Sequence, residues 1–295
     1  MTFDSREHLR MQMESELSRF YDADAGPGSP MHLVLRHADD EAQECWYLEQ
    51  RIVYLDRHFP EPIVVPRDRT TFTTDLTSVP QLFTWLVPRT GSHLAAAIVH
   101  DALTPPYSVP GSNDWDGPPV VTQLQADRVF RDAMGDLGTP LIRRWLVWSA
   151  VSIPTAWKES KVRGGLGYLG LLAIVVLGWF ATLDLFDQGE WLPWMGAKAW
   201  YIELGLGAVM AVVIPLLLAV LWPKNLHKAG AITGVALAAL LHVTVAVAAV
   251  SFAYQVAEHR WKAWSPPKRW LKILGTLLAL GVAGLTYWMF RRYDS

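Results

Sequence analysis

Residues 166–186, 202–222, 229–254 and 270–290 are four long apolar runs, and they constrain the fold of this chain more than anything else in it. At a rise of about 1.5 Å per residue, each is long enough to cross a hydrocarbon core of about 30 Å. Lys, Arg, Asp and Glu are absent from their middles; Lys272 lies near one start, and Asp184 and Glu203 lie near ends. Tryptophans such as Trp191, Trp194, Trp200, Trp222, Trp261, Trp264 and Trp270 gather near the run ends, as an aromatic belt at a membrane interface would. The pattern predicts an all-α four-helix transmembrane region over 161–295, with the lipid bilayer as its partner. Lys158, Lys161 and Arg163, then Lys224 and Lys228, then Arg291 and Arg292 fall on one side if four spans alternate. By the positive-inside rule that side is cytoplasmic, which predicts a multi-pass protein with its N-terminal domain and C-terminus in the cytoplasm. The loop with Arg260, Lys262, Lys268 and Arg269 runs against this and is read as lying in the headgroup layer. Gly230 and Gly234, and Gly281 and Gly284, suggest close helix packing and a homo-oligomer through these helices. His242 falls mid-span, either as a functional ionisable group or as a neutral histidine bonded to a Thr or Ser of a neighbouring helix.

The first half is of a different kind. Its charged residues are dense, while the whole chain has a formal net charge of -2, which gives nucleic acid no basic stripe to bind. One cysteine, Cys45, rules out an internal disulfide. The polar first residues carry no apolar stretch of the signal-peptide kind. Leu9, Met13, Leu17 and Phe20 stand at helical spacing, so a short helix over 5–20 and a linker over 24–30 are expected. Short runs rich in Val, Ile, Tyr and Trp at 31–36, 45–50, 51–55 and 62–65 predict a small antiparallel sheet. Helices are expected over 81–87, 92–103, 123–137 and 141–153. Thr122 to Gln125 has the form of a capping box, and the Pro- and Gly-rich stretch 104–121 that precedes it reads as a loop or lid. The expected organisation is an N-terminal helix and linker (1–30), an α+β domain of a small sheet plus helices (31–160), and the membrane region.

Polar groups suited to chemistry concentrate in Thr74-Asp75-Leu76-Thr77-Ser78-Val79-Pro80 and in His100-Asp101. Neighbours on a helix point about 100° apart, so His100 and Asp101 share a pocket edge without chelating one ion face-on. His100 is a candidate general base with an aspartate orienting its other nitrogen. Alternatively, Asp75, His100, Asp101 and Asp127 gather one divalent metal with open positions. The structural alternatives are equally concrete. Asp75 caps the turn before Pro80, Ser78 caps the helix that Pro80 begins, Asp127 pairs with Arg131 four residues on, and His100 is a core histidine. No cofactor-binding motif is present in the sequence.

The ordered set formed by IVVPRDRTTFTTDLTSVP, the helix ending in His100-Asp101, and QADRVFRDAMGDLGTPLIRRWLVWSAV resembles the DUF1353 family of small phage and bacterial proteins. The resemblance covers roughly residues 45–153. It implies a fold unit and candidate positions Asp75, Ser78, Pro80, His100, Asp101 and Asp127; the family carries no defined activity to transfer. The alanine-rich run into His100-Asp101 is also similar to HD-type phosphohydrolases, but His93 stands too close to be their first histidine ligand.

Two functions stay open. One is a phage- or prophage-derived interaction or scaffold domain anchored at the cytoplasmic face. The other is a membrane-tethered, metal-dependent hydrolase of a phosphoester or lipid, with His100, Asp101 and Asp75 catalytic. The first expects these side chains buried and bonded to one another; the second expects an accessible pocket.

Overall fold

A computed structural model describes residues 18–37, 46–74, 76, 87–88, 90–104, 114–196 and 198–259. The described residues fall into two compact units, one ending at Lys161 and the other beginning at Val162.

The first unit is α+β. Its six described strands are short: β1 (Phe20–Asp22), β2 (Leu35–His37), β3 (Trp46–Leu48), β4 (Ile52–Tyr54), β5 (Ile63–Val65) and β6 (Thr73–Thr74). They form two three-stranded antiparallel sheets, ordered β1-β4-β5 and β2-β3-β6. In the first, Val53 pairs with Tyr21 on one side and Val64 on the other. Every residue of β1 and β4 is buried, so these strands lack the in-out alternation of a half-exposed sheet. The Phe20 and Tyr54 rings meet at 4.6 Å.

Phe20 opens β1, where the sequence had suggested the end of a helix; the rest of that helix, through residue 17, lies outside the described residues. The stretch expected to be a linker opens on a tight turn. Asp22 Oδ1 accepts from the backbone N–H of Asp24 and Ala25, and Gly26 supplies the positive φ. The described end of the expected lid is docked as well. Val64 and Asp116 exchange both backbone hydrogen bonds, at 2.9 and 3.0 Å. Gly117 follows at φ +136, where any side chain would run into the Pro62 carbonyl.

Among the described residues the unit also has three helices: α1 (Leu94–Leu103), α2 (Gln123–Asp136) and α3 (Leu141–Glu159). The expected helix at 81–87 lies outside the described residues except for Val87. Alanines give α1 a thin cross-section, and Ala95, Ala96, Ala97, Ile98, Val99, Ala102 and Leu103 are all buried. The capping box at α2 is formed in both directions between Thr122 and Gln125. Ala126, Phe130, Ala133 and Met134 recur on one face of α2 and are buried, as the spacing requires. Helix α3 outruns its expected end at 153, continuing through Pro154 to Glu159.

The second unit is helical: α4 (Lys161–Leu185), α5 (Trp200–Leu218) and α6 (His227–His259), with 3-10 turns at Ala219–Leu221 and Lys224–Leu226. Three stretches, Lys161–Leu185, Trp200–Leu221 and Lys224–Val243, are long and apolar enough to cross a membrane. The fourth expected span, 270–290, and most of the basic loop before it lie outside the described residues. Gly230 and Gly234 admit close neighbours: a side chain at Gly230 would meet the Trp222 ring at 2.6 Å, and one at Gly234 would meet Pro215 at 2.8 Å. His242 Nε2 lies 2.5 Å from Thr182 Oγ1 on α4.

Candidate functional site

His100 and Asp101 sit on the last turn of α1. They diverge, as adjacent helical positions must. His100 Nε2 lies 2.9 Å from Asp127 Oδ1 of α2. Thr155 Oγ1 of α3 donates to the other oxygen, Asp127 Oδ2, at 2.6 Å. Asp127 therefore accepts on both oxygens. Its side chain is 1% exposed, against 12% for His100. With Asp127 ionised, the proton of a neutral His100 sits on Nε2, which leaves Nδ1 as the basic nitrogen. The His100 ring lies against Phe130, with centroids 4.9 Å apart. One polar chain thus runs through α1, α2 and α3, the three helices that carry the core of this unit.

Asp101 turns instead toward the sheet. Thr74 Oγ1, at the end of β6, donates to Asp101 Oδ2 at 2.7 Å. The same hydroxyl accepts the Leu76 backbone N–H at 3.0 Å, and Leu76 has φ +72. The residues on either side of Asp75 are therefore fastened to Asp101. Asp75 itself, with Ser78 and Pro80, lies outside the described residues.

Of the candidate positions, the structure brings His100 and Asp127 together and holds Asp101 beside them through Thr74. The expected Asp127–Arg131 pair does not form: Asp127 faces His100 and Thr155, and the Arg131 guanidinium binds Asp132 Oδ1 at 2.9 and 3.0 Å. Sequence reasoning included Thr74 in the polar stretch without giving it a role, and missed Thr155. Thr155 did carry a signal: Ser149, Ser152 and Thr155 recur every third residue along an apolar helix, and all three are buried.

A second polar cluster stands where α2 passes the loop after β4. Asp56 Oδ1 accepts from Arg128 Nη2 and from the His58 backbone N–H, both at 2.9 Å. Among the described residues, Asp56, His58 and Asp132 are the metal-ligand types whose donor atoms gather, within 4.8 Å of one another. One helical turn on, Asp136 accepts from Tyr54 Oη at 3.0 Å and from Arg57. Burial and then the Asp136 carboxylate hold the Tyr54 phenol well above its ordinary pKa, so it remains a donor. On the far side of α1, His93 Nε2 lies 3.0 Å from the Pro88 carbonyl while its Nδ1 is buried without a partner. Burial is the main cause that pushes the His93 pKa down.

The class defined by these features is a small α+β domain with a buried His–Asp–Thr network, followed by helices long and apolar enough to span a membrane. Residues 46–151 match the family described as "Protein of unknown function (DUF1353)". No curated protein and no solved structure matches the chain.

Proposed function

We propose that this protein is a membrane-anchored interaction domain, a DUF1353 module whose shape, not a reaction, is its working part. One observation carries the reading: the described members of the set singled out for chemistry, His100, Asp101 and Asp127, are engaged inside the fold. Asp127 accepts on both oxygens at 1% exposure, and Asp101 accepts from Thr74. A buried polar chain of this kind fixes one arrangement of three helices, because each alternative packing leaves a partner unsatisfied. The apolar helices supply the anchor, and the bilayer is the first partner. The flanking Lys and Arg residues support a cytoplasmic N-terminal domain and C-terminus. Large apolar side chains exposed along α4 and α5 leave area for lipid and for a second copy of the chain. A phage or prophage origin for the module is part of this reading.

The second reading is a hydrolase acting on a phosphoester or lipid at the membrane face. It rests on His100 alone. A histidine held by a buried aspartate through Nε2, with part of its ring exposed, is oriented as a general base is oriented.

Both readings meet in one experiment on the full chain in detergent. Wild type, His100→Ala and Asp127→Ala are compared in thermal unfolding and in hydrolysis of p-nitrophenyl phosphate, its diester and short-chain phospholipid. The interaction reading expects no turnover above buffer and a clear loss of melting temperature in both variants. Turnover by wild type that disappears in a His100→Ala variant of unchanged melting temperature would overturn it in favour of the hydrolase.

A further inference from the structure

We propose that Asp56, His58 and Asp132 form a binding site for one divalent transition-metal ion of the zinc type, separate from the His100 network. The argument starts from how the two carboxylates are used. Arg128 takes Asp56 Oδ1, and Arg131 takes Asp132 Oδ1 with two of its nitrogens. Each guanidinium thereby orients a carboxylate and occupies one oxygen, as outer-shell partners do around metal ligands. Two atoms of this ion pair are left without partners, the remaining oxygen of Asp56 and Arg128 Nε, and the oxygen is the one a cation can bind. The Asp56 side chain is 0% exposed, yet Oδ2 has no hydrogen-bond partner. A buried carboxylate oxygen without a donor is costly, and the missing contact is of the kind a cation supplies.

His58 completes the donor set. Its side chain is 54% exposed, and Nδ1 lies 3.7 Å from Asp56 Oδ1. The ligand-type atoms of the three residues fall within 4.8 Å of one another. Binding requires the cluster to tighten until each bond reaches about 2.0–2.2 Å, and the exposed imidazole is free to turn toward the ion. The exposed side of His58 supplies an entry path, and the open positions fall to water.

The same geometry selects the ion. Two carboxylates facing two guanidiniums sum to no net charge, so a hard cation held chiefly by charge gains little here. Mg2+ and Ca2+ also require oxygen donors, whereas an imidazole beside carboxylates suits Zn2+ and its neighbours.

The test uses the full chain in detergent, purified without a histidine tag, stripped with chelator and dialysed. Bound metal is measured by elemental analysis, and affinity by titration calorimetry with ZnCl2, MgCl2 and CaCl2. Wild type is compared with His58→Ala, Asp132→Asn and the distant control His37→Ala. Because His58 is exposed and Asp132 is only partly buried, both variants are expected to keep the wild-type circular dichroism. The expected result is about one equivalent of Zn2+, weakened about tenfold or more in His58→Ala and in Asp132→Asn, unchanged in His37→Ala, and not competed by Mg2+ or Ca2+. Zn2+ well below one equivalent in wild type, binding that survives either substitution, or equal binding of Mg2+ would overturn the proposal.

Discussion

Asp127 is the residue on which three helices agree, and its two oxygens make different predictions. Thr155→Val keeps the shape of the side chain and removes one donor. It is expected to cost about 1–3 kcal/mol, the range for a hydrogen bond to a charged or buried acceptor. Asp127→Ala strips partners from both His100 Nε2 and Thr155 Oγ1, so it should cost more than Thr155→Val. In the Asp127→Ala background, the Thr155→Val change should cost close to nothing. Denaturant unfolding of the four proteins of this cycle reads the coupling directly; additive effects would mean that the Thr155 hydroxyl does not act through Asp127. Part of this was legible in the sequence. His100 and Asp101 stood out because two polar groups interrupt an apolar helix, and their divergence followed from helix geometry. That an aspartate orients His100 was expected, but which aspartate, and which hydroxyl holds its other oxygen, was not legible. Asp127 had an arginine four residues away, a good local partner on an isolated helix, yet it faces inward and the arginine serves Asp132 instead. Local spacing cannot report which face of a helix is buried against a histidine 27 residues earlier in the chain.

At the scale of elements, the sequence was most informative where a signal is local. The Thr122–Gln125 capping box was readable because both partners lie within four residues, and Thr122→Ala should lower stability by about 1 kcal/mol in denaturant unfolding. Strands were harder. Five of the six have three residues and β6 has two, too short for a period of two to show itself. The division into two sheets depends on pairings such as Phe20 with Tyr54, which no local pattern encodes. The entry to α1 carries its own prediction. His93 Nε2 donates to Pro88 O, and Nδ1 faces no acceptor, so protonation would bury an unpaired N–H as well as a charge. Its folded pKa lies below the ordinary value of about 6.5. The unfolded chain therefore takes up the proton first as pH falls. Stability is fully present above about pH 6.5 and declines below it until the folded-state pKa is reached. Melting curves between pH 7.5 and 5 should show this decline for wild type, and a smaller one for His93→Gln. Equal slopes would remove His93 as the source.

For the whole molecule, the strongest sequence signal concerned solvent, and it was strong because it is additive over about twenty residues per span and needs no knowledge of partners. The described helices keep the first two expected spans almost where hydropathy put them; the third stretch apolar enough to span runs Lys224–Val243, while helix α6 continues to His259. Several polar groups in this half find partners within it. Asp184 accepts the backbone N–H groups of Trp191 and Leu192 at 2.8 Å, which closes the connection between α4 and α5, and Thr182 meets His242. A connection organised around a buried carboxylate suits one side of a membrane, and the basic turn with Lys224 and Lys228 suits the other. That contrast makes the orientation testable in intact cells. In a Cys45→Ser background, a single cysteine is placed at Gln188→Cys, between α4 and α5, or at Asn225→Cys, between α5 and α6. If the basic segments are cytoplasmic, a membrane-impermeant maleimide labels Gln188→Cys in intact cells and Asn225→Cys only after permeabilisation. The reverse pattern would place the DUF1353 domain outside the cytoplasm. Labelling of both sites in intact cells would mean that the helix between them does not cross the bilayer, and the anchor would then have to lie flat in the interface.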